Sequence, residues 1–286
     1  MNNLNIRPEV KQHLKEMMTS DLIEYWSQFH LTTLARLLLS WVPMARMLRE
    51  ISIDFETIGS FGSGSCSHEA ALALLLPSTE VFCHDISSKY IPNQTKTLFE
   101  SCKRLHFIEV DCSKGIISQQ FDFVFSIQTL EHIEDYFSAL SLMANSVKPG
   151  GYLYIDTPHF NERPEFEADI EYCRKVAWEK HEHYHLGFSR QATIERIKAL
   201  GYTIVDSGYY CYSRFDRIAL EGIRRSLGKN TVKGTKDSIV ETIALFDKSL
   251  ELAEEFYRDR FDELDTLMLQ KRECSAISIL ARKNIS

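Results

Sequence analysis

An open, mostly parallel α/β sheet is the fold class this sequence predicts, and three observations predict it. Short runs rich in β-formers alternate along the chain with stretches of helical apolar spacing. The first such run passes straight into a glycine loop, Gly59-Ser60-Phe61-Gly62-Ser63-Gly64, and from there into a helix-like segment. The 286 residues are 44% hydrophobic and 26% charged, enough apolar material for a sizeable buried core.

The elements follow in order. Residues 8 to about 50 read as helix, because Leu34, Leu37, Leu38, Trp41 and Val42 recur at i, i+3, i+4, i+7 and i+8. Pro43 lies inside that pattern and predicts a break or kink. Phe55 to Ile58 is the first strand, Ser67 to Leu76 a helix stopped by Pro77, and Glu80 to Asp85 the second strand, which makes one β-α-β unit. A helix near 92–103 and strands Leu105 to Val110 and Phe121 to Ser126 continue the alternation. A helix from about Asp135 to Ser146 comes next, then a Pro149-Gly150-Gly151 turn and the strand Tyr152 to Ile155. Ser189 caps a helix that Gly201 closes, and Tyr202 to Val205 is strand. Residues 212–272 are charged with helical spacing at Ile239, Ile243, Phe246 and Leu250, and Ser275 to Leu280 reads as a last strand. Four regions result: a helical cap over 1–50, a core over 51–211, a helical insertion over 212–272 acting as a lid, and a final core strand over 273–286.

Composition excludes several functions. Thirty-three basic against 40 acidic residues give a net charge of −7, so no global basic field is there to hold nucleic acid or anionic lipid. No basic, then apolar leader opens the chain and no apolar run approaches the roughly 20 residues of a membrane span. Seven cysteines form no C-x-x-C pair, which argues against a disulfide framework and for a reducing cytoplasm. The expected partner is a small-molecule substrate, with no nucleic acid and no membrane, and a homodimer is one assembly the chain would allow.

A glycine loop after the first strand lets backbone approach a nucleotide-like ligand where a Cβ would collide. As a dinucleotide fingerprint, Gly62-Ser63-Gly64-Ser65-Cys66-Ser67 lacks its third glycine. Asp85 ends the second strand, where a carboxylate accepts from ribose hydroxyls in either cofactor class. The downstream motifs discriminate. Phe121-Asp122-Phe123-Val124-Phe125-Ser126-Ile127-Gln128-Thr129-Leu130-Glu131-His132-Ile133, followed by Val147-Lys148-Pro149-Gly150-Gly151-Tyr152-Leu153, resembles class I S-adenosylmethionine-dependent methyltransferases. The likeness is to the small-molecule group with a Leu-Glu-His after strand four, and it spans roughly residues 54–208.

That resemblance implies a Rossmann-like, seven-stranded methyltransferase sheet with an antiparallel last strand, and S-adenosylmethionine as cofactor. It implies Gly59, Ser60, Gly62 and Gly64 around the methionine moiety, Asp85 and Ile86 at the ribose, and Asp111 and Cys112 near the adenine. Ser126, Ile127 and Gln128 would floor the sulfonium. The family's acid-x-Gly-x-Gly-x-Gly fits in neither register. Laid on Gly62 and Gly64 as the first glycines, it puts Ser60 in place of the acid and Cys66 in place of the last glycine. Shifted back, it puts Ile58 on the acid. The partner of the cofactor's ammonium is left open.

Methyl transfer from a sulfonium needs alignment at about 3–3.5 Å and a group to take the acceptor's proton. The candidate catalytic residues are His132 after strand four, His159 after strand five and His185 before strand six, imidazole having an ordinary pKa of about 6.5. Alternatively, His132 caps its helix or bonds a loop carbonyl. His181-Glu182-His183-Tyr184-His185 offers metal-ligand types at tight spacing, yet nothing elsewhere supplies obvious further ligands, so no metal is assigned. The function expected is methyl transfer to oxygen or nitrogen of a small molecule. An aminocarboxypropyl transferase, a non-catalytic binding protein of the same fold and a nicotinamide oxidoreductase are the alternatives.

Overall fold

The computed structural model describes residues 18–29, 31–49, 51, 54–115, 117–160, 171, 174–175, 177–179, 181–210, 235–257 and 276–285. Seven strands form one sheet in the order β3-β2-β1-β4-β5-β7-β6: β1 Thr57–Phe61, β2 Glu80–Asp85, β3 Leu105–Glu109, β4 Phe121–Ile127, β5 Val147–Pro158, β6 Tyr202–Tyr210 and β7 Ala276–Lys283. β1 to β5 run parallel, and β7 is antiparallel to both β5 and β6. This is the seven-stranded, mostly parallel sheet that the resemblance implies. The helices are α1 Ser20–Ser27, α2 Leu31–Arg49, α3 Ser67–Leu75, α4 Asn93–Ser101, α5 Tyr136–Asn145, α6 Arg190–Ala199 and α7 Lys236–Tyr257.

Side chains of a strand alternate between faces, and here each face has its own core. Phe123, Phe125, Tyr154 and Leu280 pack with Trp26, Leu34, Trp41, Ala70 and Ile239 from α1, α2, α3 and α7. Val124, Leu153, Ile155 and Ile279 pack with Leu140, Met143, Ile194 and Ile197 from α5 and α6. The spacing read in the insertion holds, since Ile239, Ile243, Phe246 and Leu250 are all buried. Arg46 and Asp247 pair at 3.7 Å across α2 and α7.

Several boundaries differ from the sequence reading. The N-terminal helix is interrupted after Gln28, and residues 8–17 lie outside the described residues, as do 212–234 and 258–275. α2 runs unbroken through Pro43, with Val42 and Met44 buried beside it, so packing holds the turn that the proline weakens. β1 takes in Gly59 and Ser60, and β6 continues to Tyr210. Pro149-Gly150-Gly151 is no separate turn. It lies within β5, where the pairing with β4 jumps from Phe121↔Val147 to Phe123↔Tyr152. Glycine is needed there because a Cβ on Gly151 would come within 2.7 Å of the Asp122 carbonyl oxygen.

Candidate active site

The carboxyl ends of β1, β2, β4 and β5 open side by side, as parallel-sheet ligand sites do. At the β1 tip, the amides of Gly62 and Ser63 both donate to the His84 carbonyl, at 2.8 and 3.2 Å, which ties the glycine loop to β2. The Asp85 carboxylate accepts from the Gly64 amide at 2.7 Å and from the Ser87 amide at 3.2 Å. A carboxylate has about four lone-pair positions, so two acceptances leave room for ligand hydroxyls. Next to it the apolar side chain of Ile86 is 64% exposed. Gly64, at φ +51°, has nothing within 4 Å of where a Cβ would sit, so space opens above it. The other two glycines are filled by the protein: Phe121 lies 2.7 Å from a Cβ on Gly59, and the Thr129 side chain occupies the place of one on Gly62.

A buried carboxyl reaches the β1 tip from another element. Glu69, in the first turn of α3, is 2% exposed and accepts a hydrogen bond from the Ser60 hydroxyl. Its other oxygen, Oε2, is buried without a hydrogen-bond partner. Burial pushes this carboxyl up to about 7, against the lowering pull of Ser60, and the nearby Asp85 charge adds to the rise. Cys66 precedes α3 at φ 52° and gives it no side-chain cap.

Asp111 is locked by its neighbour: Oδ1 accepts from the Ser113 amide at 2.9 Å and hydroxyl at 2.6 Å, and these bonds hold its pKa below the usual carboxylate range. Cys112 is buried against Gly62, and burial raises its thiol to about 12. Ser126 spends its hydroxyl on the Phe61 carbonyl at 3.0 Å. Gln128, at φ 51°, donates from Nε2 to Asp156 at 2.8 Å, and its own amide donates to the Asp156 carbonyl at 2.9 Å. A non-glycine residue in this left-handed region, pinned at both ends, aims its side chain into the floor. Ile127 is half-buried on the same turn.

Two carboxyls that the sequence reading left out occupy the β4–β5 side. Asp156 is fully enclosed and accepts from Gln128, from Tyr210 at 2.6 Å and from Tyr154 at 3.3 Å. Burial raises it to about 7 despite these donors. Glu131 is 1% exposed, and burial, with the Asp156 charge second among the raising causes, takes it to about 8. Glu131 stands in the Leu-Glu-His quoted from the sequence and Asp156 three residues before His159, where the histidines draw attention first.

The three candidate histidines are not equivalent. His159 directly follows β5, is 4% exposed, hydrogen-bonds through Nδ1 with the Phe188 carbonyl at 3.0 Å and meets the Tyr209 ring edge-on. His185 is turned away, its Nε2 lying 3.2 and 3.1 Å from the Ile133 and Glu134 carbonyls. His132 meets His183 edge-on at 4.5 Å between ring centres, and ligand atoms of Glu131, His132 and His183 all lie within 4.8 Å of one another. The His181–His185 cluster therefore splits, with His183 facing residues 131–132, which sequence spacing did not connect to it.

An adenosyl-bearing cation fits this arrangement. The tip of β2 offers a carboxylate beside an exposed apolar side chain, the loop offers an open glycine, and α3 offers a buried carboxyl oxygen without a partner.

Residues 60–155 match the sequence family described as methyltransferase domain. No curated protein matches the chain in sequence. The phosphoethanolamine N-methyltransferase 2 of Haemonchus contortus, solved with S-adenosyl-L-methionine, is 17% identical with a TM-score of 0.55, over 87% of this chain and 56% of that one. A coclaurine N-methyltransferase bound to N-methylheliamine and S-adenosylhomocysteine is 13% identical, TM-score 0.54, over 96% and 85%. The [4+2]-cyclase SpnF is 15% identical, TM-score 0.52, over all of both chains. The chain shares the Rossmann-like fold of these methyltransferases, and residues 60–155 of it match the methyltransferase-domain family.

Proposed function

We propose that the protein is an S-adenosylmethionine-dependent methyltransferase acting on oxygen or nitrogen of a small molecule. The observation that carries this reading is the Asp85–Ile86 tip of β2 facing the open Gly64, inside the segment that matches the methyltransferase domain. Asp85 would accept the ribose hydroxyls and Ile86 would cover the adenine. Asp111, held by Ser113, would present its remaining oxygen at the adenine edge, with Cys112 packed below. Glu69 and Ser60 would hold the ammonium, which answers the missing β1 acid. The cofactor supplies an activated methyl on a sulfonium, so the protein's work is alignment and proton removal.

On the acceptor side, Gln128 and Tyr210 hold Asp156, and His159 is the imidazole best placed at the β5 tip to take a proton, its ring oriented by Phe188. His185 is a loop anchor in this reading. The SpnF likeness is a reminder that fold alone does not fix the reaction.

Calorimetry with S-adenosylhomocysteine tests the reading first, and incubation of S-adenosylmethionine with small amines and alcohols tests it second. Micromolar binding and S-adenosylhomocysteine as product are expected. Methylthioadenosine as product would assign aminocarboxypropyl transfer instead, and no binding would leave a non-catalytic scaffold.

A further inference from the structure

We propose that Glu131, His132 and His183 form a binding site for a divalent transition metal of the zinc type. The inference is independent of methyl transfer and stands or falls separately.

The ligand set is two imidazoles and one carboxylate, the combination that Zn²⁺ takes in sites keeping a fourth position open. Their ligand atoms lie within 4.8 Å of one another. A tetrahedral zinc with bonds of about 2.0–2.1 Å holds its ligands roughly 3.3 Å apart, so the two imidazoles, the more accessible partners, draw inward on binding.

Each ligand already has support behind it. The Thr157 hydroxyl donates to Glu131 Oε2 at 3.4 Å, and the His132 ring is held edge-on against the His183 ring. The Glu131 carbonyl receives the amides of Tyr184 and His185 at 2.9 and 3.1 Å, which docks the histidine loop onto the carboxylate's own residue. Glu182 sits at φ 56°, and this turn carries His183 back over His132.

The charge balance agrees. Glu131 is 1% exposed, and no lysine or arginine pairs with it among the described residues. A dication in front of it would compensate its charge. Structure alone would explain a capping histidine here, but not two imidazoles converging on a buried carboxyl that no cation pairs with.

The test uses the full chain, stripped with a chelator and titrated with ZnCl₂ and then CoCl₂. One equivalent should bind with micromolar or better affinity, raise the melting temperature and, for Co²⁺, give visible ligand-field bands. His132→Ala and His183→Ala should each weaken binding at least tenfold with the far-UV spectrum unchanged, and Glu131→Gln, which keeps the side-chain volume, should do the same. His181→Ala and His185→Ala should lose less than threefold. Absence of a stoichiometric site would overturn the proposal. So would equal losses in all four histidine variants, which mark adventitious surface binding.

Discussion

The two halves of the crevice are built on opposite principles. On the β1–β2 side, Asp85 accepts from one backbone amide of the glycine loop and one of its own loop, and the polar groups come from a stretch within about 50 residues along the chain. On the β4–β5 side, Glu131 and Asp156 are carboxyls raised to about 8 and about 7 by burial, and their neighbours arrive from residues 128, 154, 157, 183 and 210. The first half is suited to grip a charged, hydroxyl-rich ligand. The second holds groups near neutrality, where protons move at physiological pH.

The largest effect should come from the gripping half. Asp85→Ala removes charge-assisted hydrogen bonds worth about 1.5–3 kcal/mol each, so S-adenosylhomocysteine affinity should fall by roughly 10²–10⁴ in calorimetry. The melting temperature should drop only a few degrees, from loss of the Gly64 and Ser87 contacts. Unchanged affinity would break the comparison at its root. Tyr210→Phe addresses the other half. It deprives Asp156 of its 2.6 Å donor, and methyl transfer should fall about tenfold while S-adenosylhomocysteine affinity shifts less than threefold.

Glu69 sits at the boundary, a raised carboxyl on the gripping side, and pH should expose it. If its carboxylate meets an ammonium, cofactor affinity should rise several-fold as pH climbs from 6 to 8 through its pKa of about 7, and Glu69→Gln should flatten that rise. Stability runs the other way. A carboxyl raised in the folded state contributes fully below the unfolded value of about 4.3 and loses that contribution as pH rises toward 7. Chemical denaturation should therefore show Glu69→Gln gaining on the wild type between pH 5 and 8.

The halves also differ in how well they could be read. Glycine loop, β2 carboxylate and strand–helix alternation are local or periodic features, so the strands and the position of Asp85 at the β2 tip were legible, as were the buried positions of α7, whereas the strand order rests on tertiary pairing. Gly59 and Gly62 looked alike to Gly64 in sequence, yet Phe121 and Thr129 fill the first two, because tertiary contact decides what a missing Cβ is for. Glu69 was invisible as a substitute acid: its value depends on reaching Ser60 from a helix nine residues on. The pairing of His132 with His183 needed a loop docked through the Glu131 carbonyl, a long-range contact without any periodic signature.

The smallest effect sharpens the reading of the adenine side. Asp111 has two sets of neighbours, the Ser113 bonds at 2.9 and 2.6 Å and an ion pair with Lys114 at 3.3 Å, whose side chain is 82% exposed. An exposed pair is screened by water and salt and contributes little, typically 0–1 kcal/mol. Lys114→Ala should therefore leave S-adenosylhomocysteine affinity within threefold, whereas Ser113→Ala, by freeing the carboxylate that the turn holds, should weaken it about fivefold. If the order were reversed, charge rather than the turn would set the position of Asp111, and the gripping half would be as dependent on electrostatics as the half that holds Glu131 and Asp156.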